Sequence, residues 1–323
     1  MKAAVLTEPG TAPQYGEHPD PSPAPGTAVV TMTAASIVPL DLLAASGTSY
    51  FGRPAVPYVP GTQGVGVVDR SDTVPPGARV FVVTTAGMLP GDGSLAERCA
   101  VPDEALVPIP DEVTDVEAAA LGMSAVAAWM ALTDRARLRP GERVLVLGAG
   151  GAVGQVAVAA AKALGAGRVV AVCRSEEAQA RARRCGADRV VPLSGDVDHL
   201  TARFQDAVGG SVDVVVDPVF GAAATAASRV LAPRGRLVNL GGASGDVAEF
   251  SSAVLRSRTA EVLGYTNALL THEERRDALT AVFSHAAEGR LAVAHEVLPL
   301  SQVTDAWTRQ AEGRVGARLV LAP

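Results

Sequence analysis

The sequence predicts an α/β protein in which a β-rich domain accompanies a doubly wound parallel sheet. Residues 1–118 hold short apolar runs separated by Pro and Gly clusters, which is typical of strands joined by turns. From residue 119 onward, buried-strand patterns alternate with helical patterns, which favours parallel strands covered by helices on both faces. Hydrophobic residues make up 48% of the 323 residues and charged residues 19%, so the chain can bury a substantial core.

Four short apolar runs predict the first strands of the N-terminal domain. They are Ala3–Leu6, Ala28–Thr33, Gly64–Val68 and Arg79–Val83. Between them, the proline-rich stretches Pro19–Pro25 and Pro54–Pro60 predict extended loops, because proline lacks the N–H group that a central strand requires.

Strand and helix patterns alternate through the middle of the chain. The predicted strands are Val144–Leu147, Val169–Val172, Val190–Pro192, Val212–Val216 and Leu237–Leu240. The predicted helices are Val116–Leu132, Val153–Leu164, Ser175–Cys185, Ala222–Leu231 and Glu273–Glu288. The closing strand pattern, 317–321, suggests a return to the first domain. We therefore expect residues 1–118 and 265–323 to form one domain, with residues 119–264 inserted as the other.

Composition excludes several classes of protein. The net charge of −6 argues against a nucleic-acid binder, which needs a basic face to neutralise phosphates. Three cysteines without a CxxC pair predict neither a disulfide framework nor a zinc knuckle. The N-terminus does not resemble a signal peptide, and no apolar run approaches the roughly 18 residues of a membrane span. The expected location is the cytoplasm, with no membrane partner.

The glycine-rich segment 148–154 predicts a dinucleotide site, because it follows a strand and opens a helix. A small residue at Ala149 allows a tight turn, Gly151 leaves room for the pyrophosphate, and Gly154 allows close packing of helix and strand. Ala152 and Val153 begin the helix, whose unpaired N–H groups favour phosphate. The alternative interpretation is an ordinary strand-to-helix turn.

The end of the second predicted strand indicates which cofactor binds. A carboxylate there would hold a ribose 2′-hydroxyl, whereas an arginine accommodates a 2′-phosphate. The chain has Arg174 and Ser175 at this point, and the nearest carboxylates lie inside the following helix. This pattern favours NADPH. The alternative is a surface arginine on an amphipathic helix, as we interpret Arg181, Arg183 and Arg184.

Several segments, taken in order, resemble the medium-chain dehydrogenase/reductase superfamily, in its zinc-free quinone oxidoreductase-like branch. The resemblance covers nearly the whole chain. The segments are 1–5, 34–41, 60–68, 93–97, the turn 149–154, 217–221 and 235–238. It implies a GroES-like β-barrel catalytic domain in two sequence pieces, a Rossmann domain between them, a cleft that holds NADPH, and a homodimer. It also implies that Val219, Gly241 and Gly242 lie near the nicotinamide.

The resemblance also bears on zinc. Zinc-dependent relatives carry metal ligands at three loops, where this chain has Val38, Thr62 and the segment 122–124 without Cys, His or Asp. A catalytic zinc needs about three protein ligands, so no metal is expected. The remaining chemistry is hydride transfer to an already activated acceptor, either a quinone or an α,β-unsaturated carbonyl.

The predicted pocket has fewer polar groups than is usual in this branch. Val38, Leu43, Ala45 and Ala127 replace residues that usually carry donors, which suits a bulky hydrophobic substrate. The candidate catalytic residues are Tyr50, as an acid or orienting donor, and Thr62, as a hydrogen-bond donor; Tyr58 or water are other proton sources. The candidate pocket walls are Val38, Met88, Met123 and Phe220.

Each of these candidates has a plainer interpretation: a loop tyrosine, a buried strand threonine, and core side chains. Two alternative functions also stay open. One is a tailoring enzyme of secondary metabolism with this fold, either an enoyl reductase or a non-redox cyclase. The other is a protein that binds NADPH without turnover.

Overall fold

The computed structural model describes residues 1–22, 24–49 and 51–323, and the chain divides into two compact units. Unit 1 consists of Met1–Gly122, Leu279–Ala287 and Val293–Pro323; unit 2 consists of Met123–Ala278 and Glu288–Ala292. The sequence placed the domain changes after residues 118 and 264. In the structure the units change after Gly122, Ala278, Ala287 and Ala292.

Unit 1 is built mostly on antiparallel strands, although its last two strands pair in parallel. A two-stranded ladder and a seven-stranded sheet comprise β1 (Lys2–Val5), β2 (Gln14–Glu17), β3 (Thr27–Ser36), β4 (Gln63–Arg70), β5 (Arg79–Val83), β6 (Arg98–Pro102), β7 (Val107–Pro108), β14 (His295–Pro299) and β15 (Arg318–Ala322). The larger sheet runs in the order β14-β15-β3-β4-β5-β7, and β6 pairs with β3. Within the described residues no pairing joins β7 to β14, so hydrogen bonds do not close the predicted barrel there.

Short helices and an aromatic contact complete unit 1. The helices are α1 (Pro39–Ala45) and α9 (Val303–Ala311), which the sequence did not predict. Trp307 of α9 is buried in the same apolar cluster as Leu6 and Leu321. Phe81 of β5 meets Phe283 edge-to-face, with ring centroids 5.8 Å apart. Phe283 lies on α8 (His272–Ala287), which begins in unit 2 and ends in unit 1.

The helix α2 (Asp115–Met130) crosses from unit 1 to unit 2 and is broken at Gly122, whose φ is +43°. A Cβ at Gly122 would lie 2.3 Å from the side chain of Gln63, so only glycine fits the break. Together with the π-helical turn after it, the stretch Asp115–Arg135 is long and apolar enough to span a membrane by length and composition. That corrects the expectation of no such run. Because 56% of its apolar window is buried inside the protein, the finding is weak evidence for a membrane span.

Unit 2 contains a sheet of six parallel strands. They are β8 (Arg143–Leu147), β9 (Arg168–Cys173), β10 (Arg189–Pro192), β11 (Val212–Asp217), β12 (Leu231–Asn239) and β13 (Glu261–Gly264). The helices are α3 (Ala152–Ala163), α4 (Glu176–Arg184), α5 (Val197–Val208), α6 (Gly221–Arg229) and α7 (Ser252–Arg258). The strand order is β10-β9-β8-β11-β12-β13, which confirms the predicted doubly wound parallel sheet.

The apolar strand sequences explain why this sheet is central. Residues 144–147 of β8 and 214–216 of β11 are all fully buried, as expected for strands covered on both faces. The order of the strands reverses between β8 and β11. In open α/β sheets, ligands bind outside the carboxyl ends of the strands at such a reversal. The topology therefore directs attention to the segments that follow β8, β9, β11 and β12.

Candidate functional site

The turn between β8 and α3 is shaped by glycines that no other residue could replace without a clash. Gly148 has a φ of +62°, and a Cβ there would lie 2.7 Å from Cγ1 of Val219. A Cβ on Gly154 would lie 2.4 Å from the carbonyl oxygen of Gly148 and 2.5 Å from Cα of Ala149. Ala149 itself is fully buried, and its N–H donates to the carbonyl of Val172 on β9. The turn therefore packs tightly beneath the first turn of α3.

Gly151, at the N-cap of α3, is different because it is exposed and a Cβ there would clash with no other atom. The nearest heavy atom to a Cβ at this position is the carbonyl oxygen of Gly148, 3.6 Å away. Within the described part of the chain, no side chain caps the first turn of α3. Ala152 and Val153 are half-buried beside this exposed glycine. A cradle without side chains and a row of uncapped N–H groups fit the pyrophosphate of a dinucleotide.

The segment after β11 borders the same edge of the sheet. Asp217 is fully buried, and its Oδ1 accepts hydrogen bonds from the N–H groups of Val219 (3.0 Å) and Phe220 (2.7 Å). Burial raises the pKa of this carboxyl group, although both hydrogen bonds act in the opposite direction. After β12, Gly241 accepts a hydrogen bond from Asn239, and Gly242 is exposed at the same edge. Val219, Gly241 and Gly242 thus lie at the edge of the sheet where β11 and β12 end, and their contact with a cofactor stays a prediction.

Phe220 adopts a backbone conformation that usually requires glycine. Its φ is +57° and its ψ is −152°, and a residue other than glycine adopts such a conformation at a cost of about 1–3 kcal/mol. Its ring meets the ring of Phe250 edge-to-face at 6.1 Å and packs against the core of unit 2. Its role as a pocket wall stays a prediction, although strain at the carboxyl edge of a sheet is typical of functional sites.

The end of β9 carries the predicted selectivity residues. Arg174 and Ser175 are both exposed, and Ser175 caps α4 by accepting a hydrogen bond from the N–H of Ala178 at 3.2 Å. The hydroxyl of Ser175 can still donate its proton outward. Cys173, just before them, is buried, and burial raises its pKa to about 11, so it is no reactive thiol. The structure brings these residues to the same edge of the sheet as the glycine turn.

A hydrogen-bonded cluster in unit 1 surrounds one predicted catalytic residue. The hydroxyl of Thr62 donates to Oδ1 of Asp41 at 2.7 Å, and the N–H of Thr62 donates to the same oxygen at 2.8 Å. The N–H of Val38 donates to Oδ2 of Asp41 at 2.7 Å. Thr62 is only 4% exposed. The hydroxyl proton of Thr62 is used in the bond to Asp41, so its hydroxyl oxygen can only accept a hydrogen bond from a further partner in this arrangement. The catalytic role of Thr62 stays a prediction.

The charges of this cluster are balanced by a buried arginine. Burial raises the pKa of Asp41, while the hydrogen bonds from Val38 and Thr62 and the charge of Arg318 act against that rise. Burial also lowers the pKa of Arg318, whose Nη1 donates to the carbonyl of Ile37 at 3.1 Å. Neither Asp41 nor Arg318 was predicted from the sequence to belong to a site. A buried carboxylate and a buried arginine are rare unless they are paired, but no local pattern reveals which residues meet.

The remaining candidates are less informative. Tyr50 lies outside the described residues. Tyr58 is 5% exposed, and burial together with the charge of Asp41 raises its pKa to about 12, so it holds its proton strongly at neutral pH. Met88 is half-buried in unit 1, and Met123 is half-buried in unit 2. Across residues 1–22, 24–49 and 51–323, no group of three or more His, Cys, Asp or Glu residues could hold a metal ion.

Comparisons with known families agree with this architecture. The alcohol dehydrogenase GroES-like domain family matches residues 24–111, and the family described as zinc-binding dehydrogenase matches residues 152–284. Quinone oxidoreductase-like protein 2 of Bos taurus is 31% identical over 297 residues, which cover 87% of this chain and 81% of that protein. A phenolphthiocerol/phthiocerol polyketide synthase component of Mycobacterium tuberculosis is 32% identical over 91% of this chain, which spans only 13% of the length of that relative.

Solved structures share the whole fold. A quinone oxidoreductase from Thermus thermophilus, solved alone and in complex with NADPH, is 29% identical with a TM-score of 0.82, and all of each chain is covered. An NAD-dependent alcohol dehydrogenase is 27% identical with a TM-score of 0.88, again over all of both chains. These similarities confirm the two-domain fold expected from the sequence. The chain belongs to the medium-chain dehydrogenase/reductase superfamily of oxidoreductases, in its quinone oxidoreductase-like branch.

Proposed function

We propose that the chain is an NADPH-dependent, zinc-independent oxidoreductase that transfers hydride to a quinone or an α,β-unsaturated carbonyl compound. One observation carries the proposal: the exposed, side-chain-free cradle at Gly151 opens the uncapped first turn of α3, and Arg174 follows the neighbouring strand. The NADPH complex of the Thermus thermophilus relative supports the choice of cofactor. The NAD-dependent relative makes the preference for NADPH the part that most needs a test.

The cofactor supplies the hydride when it is bound. The residues of unit 2 bind and orient it. The N–H groups of Ala152, Val153 and Gly154 would hold the pyrophosphate, and Arg174 would provide charge-assisted donors for the 2′-phosphate. Asp217 holds Val219 and Phe220 in place through its two hydrogen bonds, which fixes the wall that follows β11.

The residues at the three loop positions support zinc-independence. Val38 and the segment 122–124 offer no metal ligand, and the hydroxyl of Thr62 is engaged by Asp41. Without a Lewis acid, the acceptor itself must be electrophilic at carbon, as quinones and conjugated carbonyl compounds are. The proton that follows the hydride then comes from a side chain or from water. Tyr58 is a poor source at neutral pH because its pKa is about 12.

A second candidate is an enoyl reductase that acts on a thioester. The polyketide synthase relative favours it, because this chain matches a segment that makes up 13% of that much longer protein. We propose that this segment is an enoyl reductase domain. Both candidates transfer hydride from the same cofactor to an electrophilic acceptor, so they differ in the acceptor and not in the cofactor site.

The deciding experiment follows the oxidation of NADPH at 340 nm with a 1,4-quinone, 2-cyclohexenone and an enoyl thioester, with NADH tested in parallel. The proposal expects turnover of a quinone or enone with NADPH and slower turnover with NADH. Turnover confined to the thioester would support the enoyl reductase. NADPH binding without oxidation by any acceptor would contradict both enzymes and leave a cofactor-binding protein.

Arg174→Ala is the matching variant. Its KM for NADPH should rise by tens of fold if the guanidinium makes charge-assisted phosphate bonds, which are worth roughly 1.5–3 kcal/mol. Its KM for NADH should stay unchanged. Equal kinetics for the two cofactors in the wild-type protein would contradict the assignment of Arg174.

A further inference from the structure

The helix α4 lies directly against the glycine turn. A Cβ on Gly150 would lie 2.3 Å from Cβ of Ala178, so the helix and the turn touch where both residues are small. The carbonyl of Gly150 is also held by the side chain of Gln155, whose Nε2 donates to it at 3.0 Å. The contact brings the face of α4 that contains Ala178 next to Gly150, in the middle of the glycine turn.

Arg181 occupies that face, one helical turn after Ala178. Its Nε donates to the carbonyl of Gly150 at 3.4 Å, and the side chain is half-buried. Among the contacts of the described residues, neither of its terminal nitrogens has a hydrogen-bond or ion-pair partner. A guanidinium group that is anchored through Nε keeps a fork of four further N–H bonds for a ligand.

The surroundings of Arg181 are rich in positive charge. Arg174 and Arg181 take part in no ion pair within the described ranges, and the nearest acidic residues in sequence, Glu176 and Glu177, are exposed in the first turn of α4. The charges of Arg181 and Arg183 both lower the pKa of Cys173 at the end of β9, against the larger effect of burial. Of these two, Arg181 also contacts the glycine turn through Gly150, so Arg174 and Arg181 border the strand end at which the ribose of a dinucleotide would lie.

We propose that Arg181 binds the 2′-phosphate of NADPH together with Arg174, so that the selectivity for this cofactor comes from two arginines on different elements. This inference rests on the proposed function and deepens it. It replaces the interpretation of Arg181 as an ordinary surface arginine. Because Arg181 is braced on Gly150, the same side chain links recognition of the phosphate to the position of the glycine turn.

The test compares two small ligands that differ only in the 2′-phosphate. Adenosine 2′,5′-bisphosphate and adenosine 5′-monophosphate are titrated calorimetrically into the full chain. The Kd of the monophosphate divided by the Kd of the bisphosphate measures how much the 2′-phosphate contributes to binding. Arg181→Ala should lower this ratio by about tenfold, since hydrogen bonds to charged groups are worth roughly 1.5–3 kcal/mol, and should leave the monophosphate affinity unchanged.

Arg184→Ala is the control variant. It removes the same charge from the same helix, one turn further from Gly150, and Arg184 influences the pKa of Cys185 instead of Cys173. Its Kd ratio should stay within about twofold of the wild-type value, which separates direct binding from a general loss of positive charge.

Each other outcome overturns the inference in a recognisable way. Equal weakening of both ligands by Arg181→Ala would mean that the side chain only braces the turn. An unchanged ratio, together with a reduced ratio in Arg174→Ala, would leave Arg174 as the sole phosphate ligand and the proposed function intact. A wild-type protein that binds both ligands equally, or neither, would contradict the proposed use of NADPH itself.

Discussion

Replacement of Gly151 by alanine should separate cofactor binding from folding. Gly151 has a φ of −77° and a ψ of 170°, which alanine adopts without strain. Its Cβ would meet no heavy atom closer than 3.6 Å. The lower entropy of the unfolded chain should stabilise the variant by about 0.4–1 kcal/mol, and the poorer N-cap should cost roughly 0.5–1 kcal/mol. The free energy of unfolding should therefore stay close to the wild-type value.

The same methyl group would occupy the space that we assign to the pyrophosphate. Forcing one extra carbon into a close-packed contact costs about 1–3 kcal/mol, so the Kd for NADPH should rise roughly 5- to 150-fold. Titration of NADPH fluorescence measures the Kd, and urea unfolding measures the stability. A folded Gly151→Ala protein that binds NADPH like the wild type would refute the placement of the pyrophosphate.

Gly154→Ala is the contrasting variant. Its Cβ would lie 2.4 Å and 2.5 Å from backbone atoms of Gly148 and Ala149, which cannot move aside cheaply. We expect it to destabilise unit 2 by at least about 1–3 kcal/mol, unlike Gly151→Ala. Equal stability of the two variants would show that the turn is looser than described.

Three further predictions concern other parts of the molecule. Thr62→Val should lower the free energy of unfolding by roughly 1.5–3 kcal/mol in urea titrations, because it removes a hydrogen bond to the buried Asp41 carboxylate. If Thr62→Val lowers the free energy of unfolding just as much in an Asp41→Asn background, that hydrogen bond is not the cause. Burial raises the pKa of Asp217 above its ordinary 3.8, so the wild-type protein loses stability as the pH rises through the higher value. Asp217→Asn removes this loss, and its stability relative to the wild type should improve as the pH rises above 3.8; a difference that does not change with pH would contradict the raised pKa. Val262 is 38% exposed on the edge strand β13. If a homodimer pairs through that edge, Val262→Lys should convert it to a monomer in light scattering, and a variant that stays dimeric would exclude this edge as the interface.

The strands and the glycine turn could be predicted from the sequence because their physical requirements are local. A strand buried on both faces needs a continuous apolar run, and residues 144–147 supply one. A turn that receives a pyrophosphate needs small residues at fixed offsets, and Ala149, Gly151 and Gly154 meet that need. The helix α5 was not predicted, although it carries local signals of its own, namely the N-cap Asp196 and Gly209 at its C-terminal end with a φ of +74°.

The cluster around Asp41 could not be predicted in the same way. Its members meet because β15 pairs with β3, which brings Arg318 to the carbonyl of Ile37 across 281 positions of sequence. The bond between Thr62 and Asp41 likewise depends on how β4 and α1 pack and on no spacing in the chain. The contact of Arg181 with Gly150 could not be predicted for a related reason, since an arginine on a helix pattern looks exposed until the packing of Ala178 against Gly150 is known.

Hydrogen–deuterium exchange with and without NADPH tests the central claim most directly. If the first turn of α3 receives the pyrophosphate and α4 contributes to binding of the 2′-phosphate, NADPH should slow exchange in peptides that cover residues 148–156 and 173–182, and NADH should slow it chiefly in the first. Exchange that NADPH leaves unchanged in both segments, at concentrations that saturate any binding, would contradict the account.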